Sequence, residues 1–141
     1  MRKIKFRGKF VYANSDGSLK WVYGDFGHSA VPGKAVINEI NPYNEDNFIG
    51  HTEVLISTVG QFTGLHDKND VEIYEGDIVK FTTWDYNGYD YQHKGIIKFF
   101  EGAFCVFEND DLYYDLGLIL RDDEELEVIG NAIDNPELLK Q

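Results

Sequence analysis

The sequence predicts a mainly β fold with a minor helical part: an N-terminal β-hairpin followed by a small C-terminal β-barrel. Apolar and polar residues alternate with a period of two near the N-terminus. Short apolar runs separated by turn residues follow one another from Asp77 onward, and 15% of all residues are aromatic. Period-two alternation is the pattern of half-buried strands, and aromatic side chains are enriched in strands.

The hairpin is predicted from two alternating segments. In residues 3–12 the side chains of Ile4, Phe6, Phe10 and Tyr12 share one face, with Gly8 in the gap, and the basic residues share the other. A turn cluster at residues 14–18 follows, and residues 19–26 alternate again. Two alternating segments around a polar turn indicate an antiparallel hairpin.

The middle of the chain carries weaker signals. Residues 24–50 contain two turn signals and one short apolar run at 35–37, so we expect an irregular region with one short strand. Residues 44–50 are polar and predict a mobile loop. Residues 53–59 return to a composition typical of strands. We therefore divide the chain into residues 1–58, the hairpin and irregular region, and residues 59–141, a connector, the barrel and a short C-terminal helix.

The connector, residues 59–76, has the highest density of turn-forming residues in the chain and leads into a strand that begins at residue 77. Gly76 can adopt a positive φ without steric cost, so it predicts a sharp turn there. Asp77 can accept hydrogen bonds from backbone N–H groups at the turn exit. Ile78, Val79 and Phe81 then favour an extended backbone.

The barrel is predicted from short strands at 77–84, 95–100, 103–107 and 126–130. The dipeptide Glu101-Gly102 between two apolar runs indicates a tight hairpin. Residues 110–120 have apolar side chains at roughly helical spacing, interrupted by Gly117, and predict a short helix or a turn. Asn135 followed by Pro136 predicts the capped start of a final helix of about one turn.

Several segments resemble the YopX family of phage and prophage proteins. They are VGQFTGLHDKNDVEIYEGDIVKF at 59–81, MRKIKFRG at 1–8, WVYG at 21–24, LEVIGN at 126–131 and DNPELL at 134–139. Asp70 departs from the pattern, because the family is expected to place glycine after Asn69, so the turn type there is left open. The resemblance implies that the C-terminal part is an SH3-like small β-barrel. It implies no particular activity.

Composition restricts the function classes. The net charge of −12 disfavours a general affinity for nucleic acid, because that affinity needs clustered positive charge. The single cysteine, Cys105, excludes an internal disulfide and suits a reducing compartment, and it lies in a predicted strand as a buried, inert thiol. No apolar run approaches the roughly 20 residues of a membrane helix. Together with the resemblance to phage and prophage proteins, which implies a bacterial host, this leads us to expect a protein of the bacterial cytoplasm.

No motif for catalysis, metal binding or cofactor binding is present. The four histidines lack ligand spacing, and Val71 and Glu72 break the calcium-loop pattern that Asp67 would begin. There is no Gly-x-Ser-x-Gly, no phosphate-binding loop and no dinucleotide fingerprint. The acidic runs at 110–111 and 122–125 are typical of solvated loops. We expect no catalytic residues, no metal and no cofactor.

Two features are candidate binding surfaces. The first is the basic stripe of Lys3, Lys5, Arg7 and Lys9, which can contact phosphate or an acidic partner. Alternatively, it is a solvated strand face that discourages edge pairing.

The second candidate is the predicted aromatic loop at 84–93, with Trp84, Tyr86, Tyr89 and Tyr91. Aromatic side chains provide large contact areas at low entropic cost. Alternatively, this loop packs on the N-terminal part or on another subunit. The leading function hypothesis is a non-enzymatic phage or prophage accessory protein that binds another protein or self-associates. The alternatives are nucleic-acid handling through both surfaces, an acidic mimic of DNA, and an enzyme.

Overall fold

The computed structural model describes residues 3–13, 15–39, 50–122 and 125–140. The chain forms two compact units, Met1–Phe62 and Thr63–Gln141. Both the unit boundary and the boundary expected from the sequence lie inside one strand, Gly50–His66. The predicted mobile loop lies, except for Gly50, outside the described residues.

The described residues of the first unit form four antiparallel strands, the last of which continues into the second unit. They are β1 (Phe6–Ala13), β2 (Leu19–His28), β3 (Lys34–Glu39) and β4 (Gly50–His66). Strand β1 pairs with β2 and also with β4, while β3 pairs with β2 and β4, so these pairings form a closed circuit. The predicted hairpin and the strand at 35–37 are confirmed. The expectation of an otherwise irregular region is wrong for residues 24–28 and 34–39, because both segments pair in register, Asp25 opposite Asn38 and His28 opposite Ala35.

The core of the first unit explains the alternation in β1. Phe6 and Phe10 pack against a buried cluster of Val22, Ala35, Ile37 and Val54. A Cβ atom on Gly8 would lie only 2.8 Å from Cγ2 of Val54, so the glycine between the two phenylalanines makes room for that valine. Ile4 and Tyr12, on the same predicted face, are exposed.

The second unit contains the remaining strands and both helices. They are β5 (Glu72–Tyr74), β6 (Asp77–Trp84), β7 (Asp90–Phe100), β8 (Ala103–Phe107), β9 (Tyr113–Asp115), α1 (Leu116–Asp122), β10 (Glu127–Asn131) and a 3₁₀ helix (Pro136–Leu139). Among the described residues, one five-stranded sheet has the order β1-β2-β3-β4-β5 and the other has the order β10-β6-β7-β8-β9. The fold is therefore mainly β, with a short α-helix.

The connector is closed by a buried aspartate. The Oδ1 atom of Asp67 accepts hydrogen bonds from the backbone N–H of Asn69 and of Val71, at 2.8 and 2.9 Å. Its Oδ2 atom accepts one from the N–H of Val128 at 2.9 Å, which ties the connector to β10. Asp70 adopts the left-handed conformation with a φ of 62°, so an aspartate occupies the turn position where glycine was expected.

The predicted strand start is confirmed in detail. Gly76 has a φ of 89°, and the carboxylate of Asp77 accepts a hydrogen bond from the Tyr74 N–H at 2.8 Å. Asp77 is 2% exposed, so the Tyr74 N–H provides a hydrogen bond to a carboxylate that water barely reaches. The strand then runs from Asp77 to Trp84, as predicted.

The end of the chain differs from the prediction in one detail. Pro136 begins a 3₁₀ helix, but the Asn135 side chain does not cap it. Its Oδ1 atom instead accepts a hydrogen bond from the Asn131 N–H at 3.2 Å. The predicted capping role is wrong because the amide oxygen faces back toward the end of β10.

The core of the second unit lies between the sheet and α1. Ile73, Val79, Phe81, Ile97 and Val106 pack with Leu116, Ile119 and Leu126. In the described ranges no helix has the length and apolarity needed to cross a bilayer.

Candidate binding site

The predicted aromatic loop is mostly a β-hairpin. Strands β6 and β7 pair up to Trp84 opposite Asp90, which leaves only residues 85–89 as the turn. The expectation that the second strand begins at Gly95 is therefore wrong. The reason is the Asp85 side chain, whose Oδ1 atom accepts hydrogen bonds from the N–H groups of Asn87 and Tyr89 at 2.9 and 3.0 Å. These bonds close the turn early and let pairing continue.

Asp85 keeps its charge at the hairpin tip. Desolvation acts to raise its pKa, but hydrogen bonds from the Tyr89 amide, the Tyr91 hydroxyl and the Asn87 amide outweigh that effect and lower the pKa below the usual value. The Tyr91 hydroxyl donates to Oδ2 at 3.0 Å. The hairpin tip is thus a preformed turn with a negative charge at its centre.

The four predicted aromatic side chains of residues 84–93 are exposed. Trp84 is 54% exposed, and Tyr86, Tyr89 and Tyr91 are at least half exposed. Singly exposed aromatic residues are common, whereas several exposed rings on one hairpin mark a candidate interaction surface.

A cleft of about 360 Å³ lies beside the hairpin. Trp84 and the adjoining β6 residues form one wall, and β9 and α1 form the other. The lining residues are Thr82, Thr83, Trp84, Tyr114, Asp115, Leu118, Ile119 and Asp122. We call this cleft the Trp84 groove. Its size is within the range of sites that hold small ligands or short peptide segments.

Helix α1 and strand β9 form the part of the site that sequence reasoning missed. The sequence predicted a helix or turn at 110–120 but assigned it no role. Asp115 begins the helix, because its Oδ1 atom accepts a hydrogen bond from the Leu118 N–H at 3.1 Å. Ile119 is buried in the core while Leu118 is 51% exposed at the groove. An aspartate three residues before an apolar helix residue is the signal that could have located this wall.

A hydrogen-bonded chain lies behind the groove. The hydroxyl of Thr83, which lines the groove, is 2.6 Å from Nε2 of His93, and Nδ1 of His93 contacts Glu108. The imidazole stacks on Phe81 with ring centroids 4.8 Å apart. His93 and Glu108 in turn line a second, more polar cavity of about 420 Å³. The chain fixes the position of the Thr83 hydroxyl.

The basic stripe does not form a solvated face. Arg7 and Lys9 are only 7% and 8% exposed, so the expectation of solvation is wrong for these two residues. The Arg7 guanidinium lies 4.6 Å and the Lys9 ammonium 4.9 Å from the Trp21 ring centre, within reach of cation–π contact. Lys3 is exposed and Lys5 half-buried.

Burial of two of the four cations follows from the position of β1, which has neighbours on both sides. The ammonium of Lys9 donates to the carbonyl of Leu19 at 2.8 Å. The Lys9 N–H donates to the Thr58 hydroxyl at 2.8 Å. Phosphate contact through all four residues would require disruption of this packing, which weakens the nucleic-acid hypothesis.

Within the described ranges, no group of three or more His, Cys, Asp or Glu side chains is arranged to hold a metal ion. Cys105 is a free, buried thiol, as predicted.

The thiol of Cys105 is expected to react slowly. Burial raises its pKa, and the nearby charges of Asp115 and Glu101 raise it further. A raised pKa lowers the thiolate fraction at any given pH, and the thiolate is the reactive form. We expect Ellman's reagent at pH 8 to modify the native protein about a hundredfold more slowly than glutathione. Rapid modification without denaturant would contradict the burial, and the reaction in 6 M urea provides the control.

Together, the fold and the groove define a mainly β protein whose second unit presents an aromatic hairpin beside a cleft. The protein-family model described as "YopX protein" matches residues 9–140 of this chain. The chain belongs to the YopX family. Among solved structures it is similar to the crystal structure of protein EF1440 from Enterococcus faecalis, with 27% identity and a TM-score of 0.48. That match covers 99% of this chain and 100% of the other. No curated protein matches the chain.

Proposed function

We propose that this protein is a non-enzymatic, protein-binding accessory protein of a phage or prophage that acts in the bacterial cytoplasm. The observation that carries the proposal is the Trp84 groove with its exposed aromatic hairpin. Binding sites are concave and largely apolar, and aromatic anchors provide much of the energy of protein recognition. The partner is another protein, which inserts a short segment into the groove.

The proposal includes an SH3-like barrel as the scaffold of the groove. Strands β6 to β9 pair with their successive neighbours, and β10 returns to pair with β6. Strand β6 is thereby paired on both sides, and β9 and β10 are the outer strands that a small barrel would bring together. Helix α1 connects the two outer strands, β9 and β10, and packs Leu116 and Ile119 into the same core. Such a rigid scaffold would hold the groove open without a ligand.

The test is selection of peptides from a displayed library of random 12-residue sequences on the immobilised full-length protein. We expect selected peptides to bind the wild type at least about tenfold more tightly than Trp84→Ala, because truncation of a hot-spot residue costs about 2 kcal/mol or more and tenfold corresponds to about 1.4 kcal/mol. Fluorescence anisotropy measures both affinities.

Tyr12→Ala provides the matched control. Tyr12 is 72% exposed and lies in the first unit, so its truncation removes an exposed ring outside the groove. The variant should bind the selected peptides like the wild type. The proposal is overturned if no peptide is enriched or if Trp84→Ala binds every enriched peptide equally well. Light scattering on the same samples would reveal self-association as the competing explanation.

A second candidate function rests on the Thr83–His93–Glu108 chain. A hydroxyl, an imidazole and a carboxylate in this order can support acyl transfer. In that reaction the Thr83 oxygen would attack an ester carbonyl while His93 takes its proton and returns it to the leaving alcohol. Water would then release the acid. Hydrolysis of p-nitrophenyl acetate that Thr83→Ala and His93→Ala both abolish would support this candidate, and equal rates in all three proteins would remove it.

A further inference from the structure

We propose that the Trp84 groove selects a segment that carries a cationic side chain, arginine above lysine, next to apolar residues. This inference rests on the proposed function and names the chemical class of the partner. Its basis is the charge of the groove itself. Two carboxylates, Asp115 and Asp122, stand among the described lining residues, and neither lysine nor arginine lines it.

The groove offers three kinds of contact to such a segment. Leu118, which is 51% exposed, provides apolar surface on α1. The Trp84 indole is exposed and provides an aromatic face, which attracts a cation through the charge distribution of the ring. The two carboxylates provide acceptors. Arginine fits this combination better than lysine, because its planar guanidinium stacks on aromatic rings and donates two parallel hydrogen bonds to a carboxylate.

Both carboxylates are accessible to a ligand. Asp115 is exposed, although its Oδ1 atom accepts the hydrogen bond that begins α1. Asp122 contacts the Arg121 side chain at 3.3 Å, and both side chains are about 70% exposed. An ion pair between such exposed side chains contributes little free energy, so an incoming cation can replace Arg121.

The overall charge of −12 supports the same class of partner through long-range attraction. It is also the competing explanation, because an acidic protein attracts any cationic peptide without a specific site. At physiological ionic strength, charges more than about 8 Å apart are largely screened. A local recognition site must therefore depend on the two groove carboxylates more than on other surface carboxylates.

The experiment uses acetylated and amidated nonapeptides built from alanine, leucine and proline, with arginine, lysine, glutamine or glutamate at the fifth position. Binding to the full-length protein is followed at 0.15 M salt by NMR, through the indole N–H signal of Trp84. We expect affinities to fall in the order arginine, lysine, glutamine, glutamate, with at least about tenfold between arginine and glutamine.

Two double variants separate local recognition from general attraction. Asp115→Asn with Asp122→Asn removes the groove charges, and asparagine at 115 keeps an oxygen for the helix start. Asp110→Asn with Asp111→Asn removes the same charge from exposed positions that do not line the groove. The groove variant should reduce the preference for arginine over glutamine to about twofold. The control variant should keep it.

The outcomes also separate this inference from the proposed function. If the glutamine peptide binds as tightly as the arginine peptide, in a manner that depends on Trp84, the groove is a peptide site and the inference fails. If both double variants lose the preference equally, the attraction is general and the inference fails. If none of the four peptides perturbs the Trp84 signal and the displayed library also yields no binder, both proposals fail together.

Discussion

Replacement of Asp67 by alanine is expected to lower the free energy of unfolding of the second unit by about 3–5 kcal/mol. Asp67 is 7% exposed, and its carboxylate accepts hydrogen bonds from the backbone N–H groups of Asn69, Val71 and Val128. Alanine would leave three donors without their acceptor. An unpaired, buried polar group costs about 1–3 kcal/mol, and hydrogen bonds to a charged group are among the stronger ones.

Urea titration measures this loss, followed by far-UV circular dichroism and by the intensity of the Trp84 indole N–H signal, which belongs to the second unit. Asp85→Ala is the matched control. Asp85 also accepts hydrogen bonds from two backbone N–H groups and a hydroxyl, but on an exposed turn. Water can replace its oxygens there, so the loss should be clearly smaller. Equal losses at 67 and 85 would show that burial does not determine the contribution of Asp67.

Replacement of Gly95 by alanine is the second change with a large expected effect, a loss of about 2–3 kcal/mol. A Cβ atom at this position would lie 2.6 Å from the carbonyl oxygen of Phe107 and 2.7 Å from Cγ1 of Val106. Both atoms belong to β8, which pairs with β7. Backbone atoms of a paired strand cannot move aside without loss of neighbouring hydrogen bonds, so the strands must separate locally.

Gly27→Ala tests whether the loss of stability comes from the lack of room for a Cβ atom or from the replacement of any strand glycine by alanine. Gly27 also lies inside a strand, but the nearest atom to its added Cβ atom would be 3.7 Å away, an ordinary contact distance. Far-UV circular dichroism in the same urea titration should show no loss for this variant, since the added Cβ atom has room and alanine restricts the unfolded chain more than glycine does. A loss at 27 as large as at 95 would mean that close approach of β8 is not the cause.

The strands were predictable where a segment carried its own signal. The strand at 77–84 and the strand at 103–107 were predicted with the bounds that the structure has. The turn between β7 and β8 is also as predicted, with positive φ angles at Glu101 and Gly102. In each case a local feature sufficed, because apolar alternation or a glycine in a two-residue turn needs no distant partner.

The candidate site was predictable only in part. Four exposed aromatic residues were identified between two predicted strands, and of these four only Trp84 is among the described residues that line the groove. The opposite wall, from Tyr114 to Asp122, was not assigned to the site. These residues lie about 30 positions after Trp84 in the sequence, and the sequence does not show that they are close to it in space. The hydrogen-bonded chain of Thr83, His93 and Glu108 was missed for the same reason, since its members come from three segments.

The sequence by itself determined that the protein is mainly β, that it belongs with YopX proteins, and where β6 and β8 begin and end. Tertiary structure alone decided which side chains are accessible. Arg7 and Lys9 alternate like solvated residues but are buried, because β1 has a paired strand on each side. Accessibility depends on the neighbours that strand pairing supplies, and those neighbours come from segments tens of residues away.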